Sequence, residues 1–131
     1  MSRLIIDAGV LSLHFRDDPR VEGQFDEIDE GKSTGYIAGI NLAEFYYKTC
    51  QKLGRQTADT WFHLIRGSPL RIVSDEELNR QAGFEKCHRT LDLSIADCYA
   101  LALAKRLSGT LLTTDGELAK SREVEVLFFP I

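Results

Sequence analysis

The chain has 131 residues, of which 44% are hydrophobic and 27% are charged, as in an ordinary water-soluble globular domain. Its formal net charge of −4 argues against a protein that coats nucleic acid through bulk positive charge, although sixteen Lys and Arg residues could contact phosphates locally. No apolar run approaches the roughly 20 residues that cross a bilayer, no secretory signal peptide is expected, and three scattered cysteines indicate a reduced cytoplasmic protein with buried thiols.

Short apolar strands alternate with helices along the whole chain. Asn41, Ser74 and Ser94 are predicted to cap the N-termini of three of these helices. This alternation predicts parallel β-α-β units, and therefore one domain over residues 1–131 with a three-layer α/β/α sandwich and a mainly parallel central sheet of about five strands. Strands are predicted over residues 4–6, 35–39, 70–73, 110–113 and 124–129, and helices over 8–15, 20–30, 41–53, 57–66, 75–88, 95–107 and 117–122.

Four acidic residues stand where predicted strands end or predicted helices begin: Asp7, Glu44, Asp97 and Asp115. In a parallel α/β sheet, residues just beyond the carboxyl ends of the strands converge on one crevice. Several carboxylates gathered there repel one another unless cations bind or some of the groups are protonated. A carboxylate site without Cys or His ligands suits hard ions such as Mg²⁺ or Mn²⁺, and hence phosphodiester chemistry.

Helix capping is the alternative explanation for these acids. Glu44, Asp97 and Glu77 each follow an Asn or Ser by three residues, which is the spacing of a capping box. Asp7 and Asp115 could likewise be simple N-caps after a strand. A shared site is favoured because the acids recur at nearly every strand–helix junction beside apolar neighbours, whereas Glu77 lies in a charged stretch and is interpreted as a cap alone.

Other acidic or phosphate-binding families lack support in the sequence. Asp7 is followed by Ala8 and Gly9, so the Asp-x-Asp motif of haloacid-dehalogenase-type phosphotransferases is absent. A phosphorelay receiver would need a lysine after a later strand, where Thr114 and Asp115 stand instead. Glycine-rich nucleotide-binding loops and Ser or Cys nucleophile motifs are also absent.

Four segments together resemble the PIN domain family, particularly the VapC-type toxins of prokaryotic toxin–antitoxin pairs. They are residues 4–11 (LIIDAGVL), 41–45 (NLAEF), 93–102 (LSIADCYALA) and 111–115 (LLTTD), which occur in the expected order over essentially the whole chain. The resemblance implies a Mg²⁺- or Mn²⁺-dependent endoribonuclease that leaves 5′-phosphate and 3′-hydroxyl ends. It also implies a homodimer that is neutralised by a small antitoxin protein.

On this interpretation the four acids hold one or two divalent ions, directly or through water. Asp7 and Asp97 are expected to be the principal ligands, whereas Asp115 acts more through water. The ion would lower the pKa of a bound water and stabilise charge on the phosphate. Thr114 is expected to support the site by orienting a water or a phosphate.

One residue departs from the family pattern. Members often carry Ser, Thr or Asn two residues after the first Asp, and this chain has Gly9 there. The missing hydroxyl or amide is expected to change the fine tuning of the metal site more than the reaction type. It is the feature that favours the alternative function, a catalytically weak PIN-like module that binds RNA or a protein.

Two further surfaces are predicted from the helices after the second strand. Lys48, Lys52 and Arg55 follow Glu44 at spacings of four and three and are candidate RNA contacts, although an ordinary solvated face would give the same pattern. Several apolar residues of the helix pair are expected to divide between the domain core and either a dimer interface or an antitoxin groove. They are Tyr46, Tyr47, Trp61, Phe62, Leu64 and Ile65.

Overall fold

The computed structural model describes residues 1–88 and 92–131. The strands are β1 Ser2–Ile6, β2 Ser33–Ala38, β3 Arg71–Val73, β4 Thr110–Thr113 and β5 Glu125–Phe128. The helices are α1 Ala8–Phe15, α2 Pro19–Asp29, α3 Gly39–Leu53, α4 Arg55–Arg66, α5 Glu76–His88 and α6 Ile95–Leu107, with one 3₁₀ turn at Leu118–Lys120.

The five strands form one parallel sheet in the order β3-β2-β1-β4-β5. The central strand β1 pairs with β2 on one side and with β4 on the other, so that Leu4 lies beside Gly35 and Thr110. All strands point the same way, and their carboxyl ends therefore meet at one edge. The predicted three-layer α/β/α sandwich with a parallel sheet is confirmed.

Side chains of alternate β1 residues enter two separate cores, one on each face of the sheet. Leu4 and Ile6 belong to a core that is closed by α1, α2, α3 and α4. Ile5 belongs to a second core with residues of α5 and α6, such as Leu78 and Leu101. This alternation follows from the two-residue period of a strand, and it explains why the three buried residues that end β1, Leu4, Ile5 and Ile6, are all apolar. None of the helices in the described part of the chain is long and apolar enough to cross a membrane.

The start of α3 differs from the prediction. The helix begins at Gly39 after Ala38, which has no side-chain capping bond, and Asn41 is therefore not the cap. Asn41 is instead buried, and its Nδ2 donates a hydrogen bond to the carbonyl of Ala96 at 3.1 Å. The Asn side chain thus joins α3 to the first turn of α6, a long-range contact that local sequence did not indicate.

Two other local predictions were also wrong. Asp75, not Ser74, supplies the side-chain acceptor for the first turn of α5, because its Oδ1 accepts a hydrogen bond from the Leu78 N–H at 2.7 Å. The predicted helix 117–122 is only the 3₁₀ turn. The three cysteines are free as expected, but Cys98 alone is buried and Cys87 is exposed.

Candidate active site

A cleft of about 200 Å³ opens at the carboxyl edge of the sheet, between α1, α3, α4 and the start of α6. All four predicted acids line it. Asp7 directly follows β1, Glu44 lies on α3, Asp97 on α6, and Asp115 follows β4. The fold therefore brings together carboxylates that are far apart in sequence, as the parallel topology predicted.

Asp7 is the most enclosed of these acids, with 6% of its surface exposed. It caps α1, accepting a hydrogen bond from the Val10 N–H at 2.8 Å. Its other oxygen accepts from the Thr113 hydroxyl and from the Thr114 N–H, the latter at 3.3 Å. Burial raises the pKa of Asp7 from 3.8 to about 6, because the hydrogen bonds compensate only in part for the lost hydration. The negative charge of Asp97 raises the pKa of Asp7 further.

Asp97 is both a helix cap and a member of the acidic cleft. Its Oδ2 accepts a hydrogen bond from the Ser94 N–H at 3.2 Å, while Ser94 Oγ accepts from the Asp97 N–H at 3.1 Å, which completes a capping box. Burial raises the pKa of the Asp97 carboxyl, and the charges of Asp115 and Glu44 raise it further. The capping explanation is therefore correct for Asp97, but it does not exclude a site.

Glu44 and Asp115 complete the acidic set in different ways. Glu44 lies in the second turn of α3, where it caps nothing, and its Oε2 is 3.3 Å from Lys48 Nζ. Asp115 Oδ1 accepts a hydrogen bond from the Leu118 N–H at 2.8 Å and so caps the 3₁₀ turn. The capping explanation thus fails for Glu44 and holds for Asp115.

Thr113 is a site residue that the sequence interpretation missed. It is fully buried, and its hydroxyl donates to Asp7 while accepting from the Asp115 N–H at 2.9 Å. The one hydroxyl thereby ties the segment after β4 to the acid after β1. A threonine at the end of a buried strand needs a hydrogen-bond partner, and this was the available signal.

Three of the basic residues that the structure describes line the same cleft. Lys48 and Lys52 line it as expected, whereas Arg55 does not and instead lies 3.7 Å from Asp59. Arg16, at the C-terminus of α1, also lines the cleft and was not predicted. Nothing in the local sequence marks it, since its position depends on the packing of α1 against α3. Other lining residues that the sequence did not indicate include Ser12, Thr49 and Trp61.

The sequence matches the PIN domain family over residues 4–123. The chain belongs to this family. A comparison with curated proteins found no match to this PIN domain.

Solved structures of prokaryotic toxin–antitoxin proteins share the fold at low sequence identity. VapBC2 of Rickettsia felis bound to a promoter DNA fragment superposes with a TM-score of 0.75 at 14% identity, covering 96% of this PIN domain and 98% of that chain. DNA-bound VapBC of Salmonella typhimurium gives 0.76 at 13%, covering 98% of each chain. VapC20 of Mycobacterium tuberculosis, described as a sarcin–ricin loop cleaving toxin, gives 0.68 at 17%, covering 92% and 98% respectively.

The acids of this PIN domain suit a divalent cation by their chemistry, but they do not form a ready-made coordination sphere. Among residues 1–88 and 92–131, no three His, Cys, Asp or Glu side chains are grouped closely enough to hold a metal ion. The donors are nevertheless all carboxylate oxygens, the type that Mg²⁺ and Mn²⁺ prefer. Burial and mutual repulsion raise the pKa values of Asp7 and Asp97, and a bound cation would relieve both effects.

The apolar residues of α3 and α4 divide between core and surface. Ile65 is buried, and Trp61 and Phe62 pack against the core beneath α1 to α4. Tyr47 and Leu64 are 49% and 58% exposed. Leu64 also borders a second cleft of about 220 Å³ between α1, α2 and α4, whose lining is mainly apolar. Part of the predicted interface surface is thus exposed.

Proposed function

We propose that this PIN domain is a divalent-metal-dependent endoribonuclease that hydrolyses RNA phosphodiester bonds, and that it is the toxin of a VapBC-type pair. The observation that carries the proposal is the convergence of Asp7, Glu44, Asp97 and Asp115 in one cleft. Helix capping does not account for the whole set, because Glu44 lies in the second turn of α3, caps nothing and still faces the same cleft. Lys48 and Lys52 line the same cleft, and their positive charges can attract the negatively charged RNA backbone.

In this proposal the four acids hold Mg²⁺ or Mn²⁺. When bound, the ion supplies activation of water near neutral pH and stabilisation of the negative charge that develops on the phosphate. The protein keeps the acids in place through hydrogen bonds. Thr113 holds Asp7, and Ser94 holds Asp97.

The cations of the cleft would bind the substrate. Lys48 and Lys52 lie along one face of α3, and Arg16 contributes from α1. Their side chains can neutralise backbone phosphates on either side of the reacting one, without reading sequence. Lys48 is also close to Glu44, so a bound phosphate would compete with that carboxylate for it.

The proposed partners are RNA, a small antitoxin and a second copy of the chain. The solved VapBC structures from Rickettsia felis and Salmonella typhimurium are toxin–antitoxin complexes of this fold, which supports an antitoxin here. We also propose a cytoplasmic location, in which the three thiols stay reduced.

The test is cleavage of a labelled single-stranded or stem-loop RNA by the purified protein with Mg²⁺, Mn²⁺ or excess EDTA. We expect cleavage with either metal and none with the chelator, and Asp97→Asn should lower the rate by at least about 100-fold. Glu77→Gln is the matched control, because this acid lies outside the cleft and pairs with Arg80. Equal cleavage in EDTA would contradict the proposal, and RNA binding without cleavage would favour a non-cutting module.

A further inference from the structure

Gly9 and Thr114 compete for one space beside the acidic cleft. A Cβ added to Gly9 would lie 1.9 Å from Thr114 Oγ1, 3.0 Å from its Cβ and 3.1 Å from its Cγ2. Its three nearest neighbours thus all belong to one side chain. The backbone does not require glycine here, because the φ angle of Gly9 is not positive. Glycine is required at position 9 because the Thr114 side chain already fills the space that a Cβ would occupy. Only one of the two residues can therefore carry a side chain there.

Thr114 cannot easily give way to a side chain on residue 9. Its N–H donates a hydrogen bond to Asp7 Oδ2 at 3.3 Å, which holds the backbone at the end of β4. Rotation about χ1 would move Oγ1, but the Thr114 Cβ would remain 3.0 Å from the added atom. A β-branched side chain also has few alternative rotamers.

The Thr114 hydroxyl is placed to serve the cleft. Thr114 lines it together with Asp7, Asp97 and Asp115. Within residues 1–88 and 92–131, no protein group forms a hydrogen bond with Thr114 Oγ1, although the Thr114 N–H is bonded to Asp7. A hydroxyl can donate one hydrogen bond and accept two, so it remains available to water in the cleft.

We propose that Thr114 is a positioning residue whose hydroxyl holds the water around a cation in the acidic cleft, and that residue 9 is glycine to admit it. The hydroxyl that Gly9 lacks is thus supplied by the residue that follows β4. The inference rests on the proposed function, since it concerns the cation that the carboxylates bind. It reverses the expectation that Gly9 weakens the site.

The first test compares Thr114→Val with Thr114→Ser by calorimetric titration of the metal-free protein with Mn²⁺. Valine keeps the shape and removes the hydroxyl, so Mn²⁺ affinity should fall about tenfold, as for other groups that act through a ligand or its water. Serine keeps the hydroxyl and should restore most of the affinity. RNA cleavage should follow the same order, while the melting temperature without metal stays close to that of the parent.

The second test moves the hydroxyl from residue 114 to residue 9. Gly9→Ser alone should lower the melting temperature and the Mn²⁺ affinity, because its Cβ meets the Thr114 side chain. The double variant Gly9→Ser with Thr114→Gly removes the obstruction and offers a hydroxyl from α1, so it should recover much of both losses. A Gly9→Ser protein as stable as the parent would show that the two positions do not exclude each other.

The outcomes separate this inference from the proposed function. If the parent binds Mn²⁺ and cleaves RNA while Thr114→Val does both equally well, the role of Thr114 is wrong and the nuclease proposal stands. If the parent neither binds Mn²⁺ nor cleaves, the proposed function fails and this inference fails with it.

Discussion

At the residue scale, opposing effects act on the ionisation of single acidic side chains in the cleft. Asp7 is almost fully enclosed, yet it accepts hydrogen bonds from Val10, Thr113 and Thr114. Those bonds favour the charged carboxylate, whereas burial disfavours it, and burial wins because the pKa rises to about 6. The metal-free protein is therefore under electrostatic strain at neutral pH.

The first expectation concerns the pH dependence of stability. The native state holds the Asp7 proton more tightly than the unfolded state, with a pKa of about 6 against 3.8, so this contribution is fully present below about pH 4. This contribution to the free energy of unfolding is lost as pH rises through about 6, and it amounts to up to about 3 kcal/mol for a pKa difference of about two units. Relative to Asp7→Asn, the parent should lose stability over that range in urea unfolding with EDTA. Parallel curves for the two proteins would contradict the assignment.

The second expectation separates the two roles of Asp97. Asparagine retains an oxygen that can accept from the Ser94 N–H, and it removes the repulsion from Asp115 and Glu44. Asp97→Asn should therefore be as stable as the parent, or more stable, in thermal melts without metal. The stabilisation given by Mn²⁺ should shrink sharply in this variant.

Glu77→Gln serves as the control for this comparison and should keep the whole metal-induced shift. If Asp97→Asn is destabilised without metal but keeps its full response to Mn²⁺, Asp97 is only a helix cap.

At the element scale, the site depends on the close approach of β4 to β1. Gly109 precedes β4, and a Cβ there would lie 2.8 Å from the backbone oxygen of Arg3 and 2.4 Å from Ile5 Cδ1. Ile5 Cδ1 is the end of a side chain and can shift, but the Arg3 oxygen belongs to the backbone of the central strand and cannot move cheaply. This approach sets the register that delivers Thr113 and Asp115 to Asp7.

The third expectation follows from that contact. Gly109→Ala should lower the free energy of unfolding by about 1–3 kcal/mol, because the new methyl group is forced against β1. Gly83→Ala is the matched control on α5, where a Cβ meets nothing within 4 Å. Alanine is the better helix former, so the control should gain about 0.5–1 kcal/mol. Chemical denaturation measures both, and a neutral Gly109→Ala would refute the packing argument.

At the scale of the whole molecule, we expect a homodimer formed through α3 and α4, where Tyr47 and Leu64 are exposed. Analytical ultracentrifugation of the protein without antitoxin should give twice the chain mass of 14.8 kDa. Tyr47→Glu with Leu64→Glu should yield monomers, since burying two charges in an apolar interface is costly. Phe84→Glu is the control, because Phe84 is 60% exposed on the separate helix α5. A monomeric parent protein would contradict this expectation. So would a result in which Phe84→Glu gives monomers while the Tyr47→Glu, Leu64→Glu variant stays dimeric.

Local patterns in the sequence predicted the five strands and the six α-helices, and they singled out the four acids. The apolar residues Val21, Phe25 and Ile28 recur at helical spacing along α2, and all three are buried. The predicted bounds of α1 and β4 agree with the structure. Because parallel strands end at a common edge, the acids after β1 and β4 could be expected to meet, and they line one cleft.

Other features required the tertiary structure, because they depend on contacts between distant parts of the chain. The bond from Thr113 to Asp7 spans 106 residues, and the link from Asn41 to Ala96 spans 55. The steric exclusion between residue 9 and the Thr114 side chain likewise involves two positions that are far apart in sequence. Sequence periodicity reports which face of an element is buried, and it carries no information on which atoms meet across the sheet. The sequence alone therefore determined the fold class and predicted which four acids would gather in the cleft, whereas packing decided how those acids are held.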